Sequence, residues 1–120
     1  MKILIIRFSS IGDIVLTTPV IRILKNQLKD VELHYATKLE YRELVESNPY
    51  ISKVHLLDNS ASDLIKNLKK EKFDHIVDLH NNFKTLLIKN SLSVKSSSFE
   101  KLNIQKWLAV NLKFNVLPNR

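Results

Sequence analysis

The stretch Lys2-Ile3-Leu4-Ile5-Ile6-Arg7-Phe8, followed at once by Ser9-Ser10-Ile11-Gly12-Asp13, decides the fold. A nearly continuous apolar run reads as a strand buried on both faces, because a strand wetted on one face would alternate. The run is far shorter than the roughly 18 apolar residues a bilayer span needs, and Arg7 interrupts it. Nor does it read as a secretory leader: the apolar core is too short, and no small-residue cleavage site follows. A strand of this kind belongs to a parallel sheet covered by helices on each side.

Working outward, the apolar spacing changes period after Asp13. Leu16, Val20, Ile23, Leu24 and Leu28 mark one face of a helix over 14–28. Pro19 divides or kinks it, since proline cannot donate to the carbonyl of Val15. Further strands are predicted at Val31–Ala36, Lys53–Leu57, Phe73–Leu79 and, weakly, Val94–Ser98, with Ser96-Ser97-Ser98 as a loop edge. Helices are predicted at Leu39–Ser47, stopped by Asn48-Pro49, and to about Lys70 from a cap at Ser62 or Asp63. Two more follow, at Phe83–Leu92 and Ile104–Lys113. This alternation predicts an α/β fold: a Rossmann-like, doubly wound parallel sheet, with strand order 3-2-1-4-5. One domain over residues 1–120 is expected, and Leu117-Pro118-Asn119-Arg120 reads as a cut rather than a natural end.

Glycine usage points to the site. A chain of 120 residues has one glycine, Gly12, where about eight would be average. It stands where the first strand gives way to the first helix. In open parallel sheets ligands bind beyond the carboxyl ends of the strands, beside the point where strand order reverses. Under order 3-2-1-4-5 that crevice lies between strands 1 and 4. The loop after strand 4 is His80-Asn81-Asn82, leading into Phe83-Lys84-Thr85. The expected crevice is therefore lined by Ser9, Ser10, Gly12 and Asp13 on one side, and by His80, Asn81, Asn82 and Lys84 on the other.

Architectural readings compete at each position. Ser10-x-x-Asp13 before an apolar run is a capping-box pattern, and an acidic first turn suits the helix dipole. From the residues alone, capping comes ahead of catalysis for Asp13. Asn82 can cap the following helix. Lys84 sits at the helix end that disfavours a cation, which an anion would offset. His34, His55 and His75 fall on three different predicted strands without ligand spacing, and read as packing or edge residues; no metal site is expected. No P-loop, G-x-G-x-x-G or G-x-S-x-G is present.

The formal net charge of +7 asks for an anionic partner. Nucleic acid is set aside because the basic residues are scattered, and no zinc-finger or RNA-binding signature accompanies them. With no cysteine there is no disulfide framework, and a cytoplasmic location is the default expectation.

The opening Ser9-Ser10-Ile11-Gly12-Asp13-Ile14-Val15-Leu16-Thr17-Thr18-Pro19 resembles the start of glycosyltransferase family 9, whose members include the ADP-heptose:lipopolysaccharide heptosyltransferases. Asn48-Pro49 and Phe73-Asp74-His75-Ile76-Val77-Asp78-Leu79-His80-Asn81-Asn82-Phe83-Lys84-Thr85 extend the likeness. The resemblance implies a GT-B architecture in which these residues form the N-terminal, acceptor-side half. The C-terminal half would bind the co-substrate ADP-heptose, with no separate cofactor. It further implies inverting, metal-independent transfer of heptose to the anionic inner core of lipopolysaccharide, with peripheral contact at the inner membrane. Asp13 matches the general base, and Lys84 stands at a place often basic. The isolated chain is then expected to lack transfer activity. Two other readings remain. One is a non-catalytic Rossmann-like module for an anionic ligand. The other is a phosphoacceptor receiver domain, disfavoured because Ser9-Ser10 stands where an acidic pair is needed.

Overall fold

A computed structural model describes residues 1–98 apart from Lys29, Asn59, Asn81 and Lys95; the predicted helix over Ile104–Lys113, with Trp107, lies outside the described residues. Five strands form one sheet: β1 (Lys2–Ile6), β2 (Glu32–Lys38), β3 (Ile51–Leu57), β4 (His75–Asp78) and β5 (Ser96–Ser98). Their order is β3-β2-β1-β4-β5, as the sequence predicts, and every pairing is parallel. β1 is central, with Ile5 registered between Tyr35 of β2 and Val77 of β4.

The apolar run of β1 supplies both faces. Ile3 and Ile5 pack into a core with Val20, Ile21, Leu33, Tyr35 and Val77. Leu4, Ile6 and Phe8 pack into the opposite core with Leu57, Leu64, Leu68, Ile76 and Ile88. Leu4, Ile5 and Ile6 have no exposed surface, so each contributes about 1.5–3 kcal/mol of burial. Truncating Leu4 to Ala would cost about 2–5 kcal/mol, since a packed core relaxes only partly around a cavity.

Pro19 divides the first helix as expected. α1 (Ile11–Leu16) stops at Thr17, and α2 (Thr18–Gln27) begins again with Pro19 in its first turn. The buried Thr17 hydroxyl donates to the Ile14 carbonyl at 2.6 Å and meets the Tyr35 hydroxyl at 2.9 Å, which stabilises the break. α2 then lies on the Ile3/Ile5 face; α4 (Ala61–Glu71) and α5 (Phe83–Leu92) lie on the Leu4/Ile6 face.

Several boundaries differ from expectation. The single helix predicted at Leu39–Ser47 is a 3-10 turn over Leu39–Tyr41 followed by α3 (Arg42–Glu46). Ser60, rather than Ser62 or Asp63, stands at the N-cap position of α4, without a side-chain capping bond, which places Asp63 inside the first turn, where the dipole favours it. The serine triplet read as a loop edge is itself β5, completing β4's outer edge. Helix ends use the left-handed conformation without glycine: Lys72 after α4 has φ 56° and Ser93 after α5 has φ 54°. No described helix is long and apolar enough to cross a membrane.

Candidate active site at the carboxyl ends of the strands

Because β1 and β4 are parallel neighbours, the loops leaving them emerge at one end of the sheet. Backbone pairing persists just past both strands, where the Leu79 N–H donates to the Ile6 carbonyl at 3.0 Å. Beyond that point the connection is made by one side chain. Arg7 donates from Nη1 to the Leu79 carbonyl at 2.7 Å, and its Nη2 pairs with Asp13 Oδ2 at 2.9 Å. The Arg7 guanidinium thereby helps to hold the loop after β1 to the loop after β4.

Ser10 stands at the N-cap position of α1 but makes no capping hydrogen bond with its side chain. Its hydroxyl instead donates to Asp13 Oδ2 at 3.0 Å. The capping-box expectation is therefore corrected. The Asp13 carboxylate is oriented by Arg7 and Ser10, and its side chain is 23% exposed at the mouth of the loop. The guanidinium and the hydroxyl converge on one carboxylate oxygen, and the charge-assisted bond from Arg7 is the stronger of the two.

Gly12 is the second residue of α1 and is exposed. A Cβ built there meets nothing within 4 Å, and no glycine in the structure has a positive φ. Neither backbone strain nor crowding by the described residues requires glycine at this place.

On the β4 side, His80 packs edge-on against Phe8, with ring centroids 5.4 Å apart, and its backbone N–H donates to Asp78 Oδ1 at 3.0 Å. Burial lowers the His80 imidazole's affinity for a proton, and the positive charges of Arg7, Lys38 and Lys84 lower it further against the pull of Asp78. Asp78 is wholly buried and pairs with Lys89 Nζ at 3.0 Å. Asn82 caps α5 in a reciprocal box: its Oδ1 accepts from Thr85 N at 3.0 Å, while Thr85 Oγ1 accepts from Asn82 N at 2.9 Å. The capping reading is thus the structural role of Asn82. Asn81 lies outside the described residues. Lys84 is exposed and faces an open groove of about 450 Å³ that it shares with Lys38, Leu57 and Asp58.

Ser9, Ser10 and His80 thus lie on the two loops that leave β1 and β4, Gly12 and Asp13 lie in the first turn of α1 that follows, and Lys84 lines the groove beyond β2 and β3. Two contributors were missed from sequence. Arg7 had served only to interrupt an apolar run, although a charge ending a buried strand must find a partner there. Lys38, at the end of β2, carried no local signal; only the strand order brings it near His80 and Lys84.

No protein-family model matches the chain. Over 117 residues it is 27% identical to lipopolysaccharide heptosyltransferase 1 of Campylobacter coli, covering 92% of this chain and 34% of that protein. The chain therefore spans about a third of the length of that curated relative. Among solved structures it superposes on a glycosyl transferase family 9 protein from Veillonella parvula with a TM-score of 0.78, at 18% identity, over 99% of this chain and 43% of that one. For the E. coli ADP-heptose lipopolysaccharide heptosyltransferase II the TM-score is 0.71 at 20% identity, over 82% of this chain and 30% of that one. For the E. coli heptosyltransferase WaaC with ADP-2-deoxy-2-fluoro heptose it is 0.69 at 14% identity, over 82% and 35%. The resemblance to glycosyltransferase family 9 holds, and the sheet matches a Rossmann-like half of these larger proteins.

Proposed function

We propose that this chain is the acceptor-side half of a glycosyltransferase of the heptosyltransferase type, acting with a donor-binding half of the kind its longer relatives have room for. In this reading heptose passes from ADP-heptose to a sugar hydroxyl of the lipopolysaccharide inner core, with inversion and without a metal in the transfer step. The protein works on the cytoplasmic side, in peripheral contact with the inner membrane where its acceptor is presented. The observation that carries the proposal is the Asp13 carboxylate, held by Arg7 and Ser10 at the mouth of the β1 loop.

A sugar hydroxyl is a poor nucleophile, and a positioned carboxylate can remove its proton as the bond to the anomeric carbon forms. Arg7 orients Asp13 and ties it to the β4 loop, so that base and acceptor-binding residues keep one geometry. Oriented reactants avoid much of the entropy cost of a bimolecular step. Lys38 and Lys84 offer charge to acceptor phosphates or carboxylates, and the +7 net charge favours approach to an anionic glycolipid surface.

The groove between Lys38 and Lys84 by itself also suits a non-catalytic module for an anionic ligand. The two readings part at Asp13→Asn in the enzyme assembled with its donor half. If Asp13 takes the acceptor proton, single-turnover transfer from ADP-heptose falls by roughly 10²–10⁴-fold while thermal stability is nearly kept. A stable Asp13→Asn enzyme with near-normal turnover would sink the catalytic role.

A further inference from the structure

His34 and His55, expected to be separate packing residues, meet beneath α4 toward the amino end of the sheet. β2 and β3 are neighbours, and the register sets Ala36 beside His55, so both imidazoles share one face. His34 Nδ1 lies 2.9 Å from His55 Nε2, and the rings stack with centroids 5.1 Å apart. Phe73 closes the other side, edge-on to both rings. The two histidines are 2% and 6% exposed. Glu71, the last residue of α4, completes the group: one ligand atom from each of His34, His55 and Glu71 lie within 4.8 Å of one another.

We propose that His34 Nδ1, His55 Nε2 and a Glu71 carboxylate oxygen form a binding site for a divalent ion of the zinc class, with water in the remaining position. Two imidazoles and one carboxylate are a zinc-type donor set, and they select zinc, cobalt, nickel or copper over magnesium or calcium. At zinc–nitrogen distances of 2.0–2.1 Å, tetrahedral ligands stand about 3.4 Å apart. The two nitrogens therefore need to separate by only about half an ångström.

The surroundings fit the same use. Glu32 Oε2 bonds to His34 Nε2, and a carboxylate there makes Nε2 the donor and leaves the Nδ1 lone pair facing the site. Such a carboxylate behind a histidine is the usual support of a zinc ligand. With His34 Nδ1 as acceptor, His55 Nε2–H donates across the 2.9 Å contact, and the ion takes that place once His55 adopts its other neutral tautomer, with the proton on Nδ1. Glu71 Oε1 accepts from Lys2 at 3.3 Å and Oε2 from Lys53 at 2.8 Å, which leaves each oxygen a further lone pair. Lys53 is 59% exposed and can swing away when the ion brings its own positive charge. An open groove of about 560 Å³, lined by His55, Leu64, Asn67, Lys70 and Glu71, gives the ion an entry path. Bound there, the ion ties β2, β3 and α4 together, away from the Arg7–Asp13 loop. The inference is independent of the proposed transfer reaction.

Calorimetric titration of ZnCl2 into the chelator-stripped, tag-free full chain tests this directly. Expected are one zinc bound per chain, a rise in Tm, a tetrahedral visible spectrum with CoCl2, and no response to MgCl2. Glu71→Gln and His55→Gln should each weaken zinc binding at least tenfold, while His75→Gln, on another strand, changes nothing. If His55→Gln fails to fold, Glu71→Gln carries the test, since that side chain lies at a helix end. No zinc binding at neutral pH overturns the proposal. So does binding that survives Glu71→Gln at unchanged affinity, which would assign the ion elsewhere.

Discussion

The two ends of this sheet handle charge in opposite ways. On the α4 face, from the amino end inward, Lys2, Glu32, His34, Lys53, His55 and Glu71 pair with one another in one network. At the carboxyl end, one arginine joins two loops, Asp13 remains partly open to solvent, and Lys84 faces a groove. Large apolar side chains are also left uncovered there: Ile11 is 62% and Phe83 74% exposed. A fold that needed only stability would satisfy both ends internally. Under the proposed function, the acceptor and a donor-binding half are what the carboxyl end would meet.

The contrast breaks most visibly if Asp13→Asn leaves transfer intact, because the 10²–10⁴-fold loss expected there is the largest effect assigned to the carboxyl end. Next in size is the acid response of the amino end. The folded His55 pKa of about 4 lies below its ordinary 6.5. The unfolded chain therefore binds the extra proton first. His55 contributes full stability above about pH 6.5, and that contribution is lost as pH falls through 4. The amount is on the order of 3 kcal/mol. Glu71, held near 2 chiefly by its hydrogen bond to Lys53, adds a separate loss below pH 4.5. Denaturant midpoints of metal-free protein between pH 7 and 4 should fall steeply, and should flatten in His55→Gln. If His80→Gln flattens them instead, the acid-sensitive end has been misidentified.

Smaller again is the difference between two cations. Arg7→Met should cost about 1.5–3 kcal/mol, because it strips a charge-assisted bond from the Leu79 carbonyl and leaves Asp13 with less support. Lys53→Met removes a surface partner of Glu71 and should change stability by under about 1 kcal/mol. Equal losses in thermal unfolding would mean that Arg7 is no more than another surface ion pair.

The sheet order was legible because each of the first four strands carries its own apolar signal and the right-handed crossover leaves few arrangements. The break at Pro19 and the helix Phe83–Leu92 were legible for local reasons: a missing donor, and a capping residue at Asn82. What escaped was pairwise and long-range. Arg7 reaches Leu79 across 72 positions, and His34 meets His55 only because β2 and β3 are adjacent. Scanning for ligand spacing along the chain cannot see a site assembled across strands. Capping by Ser10 failed for a local reason: its hydroxyl turned to the Asp13 carboxylate, which Arg7 also holds.

The smallest effect sharpens the comparison through glycine. Lys72, beside the amino-end network, adopts φ 56°, where a glycine would be free of the strain an L side chain carries, yet a lysine stands there. Gly12, at the carboxyl end, has an ordinary backbone and open space where its Cβ would be, so nothing among the described residues asks for glycine. If the fold were the only constraint, the two residues would be exchanged. Gly12→Ala should therefore stabilise the chain by about 0.5–1 kcal/mol, the ordinary gain of alanine in a helix. Lys72→Gly should also leave stability unchanged or raised. In the assembled enzyme, however, Gly12→Ala should raise the acceptor KM several-fold, because a methyl group now occupies the surface where acceptor and Asp13 must approach. Lys72→Gly should leave KM alone. A Gly12→Ala enzyme that is more stable and equally active would show that no ligand uses this opening. One that is less stable would show that the β1 loop needs glycine for a reason internal to the fold.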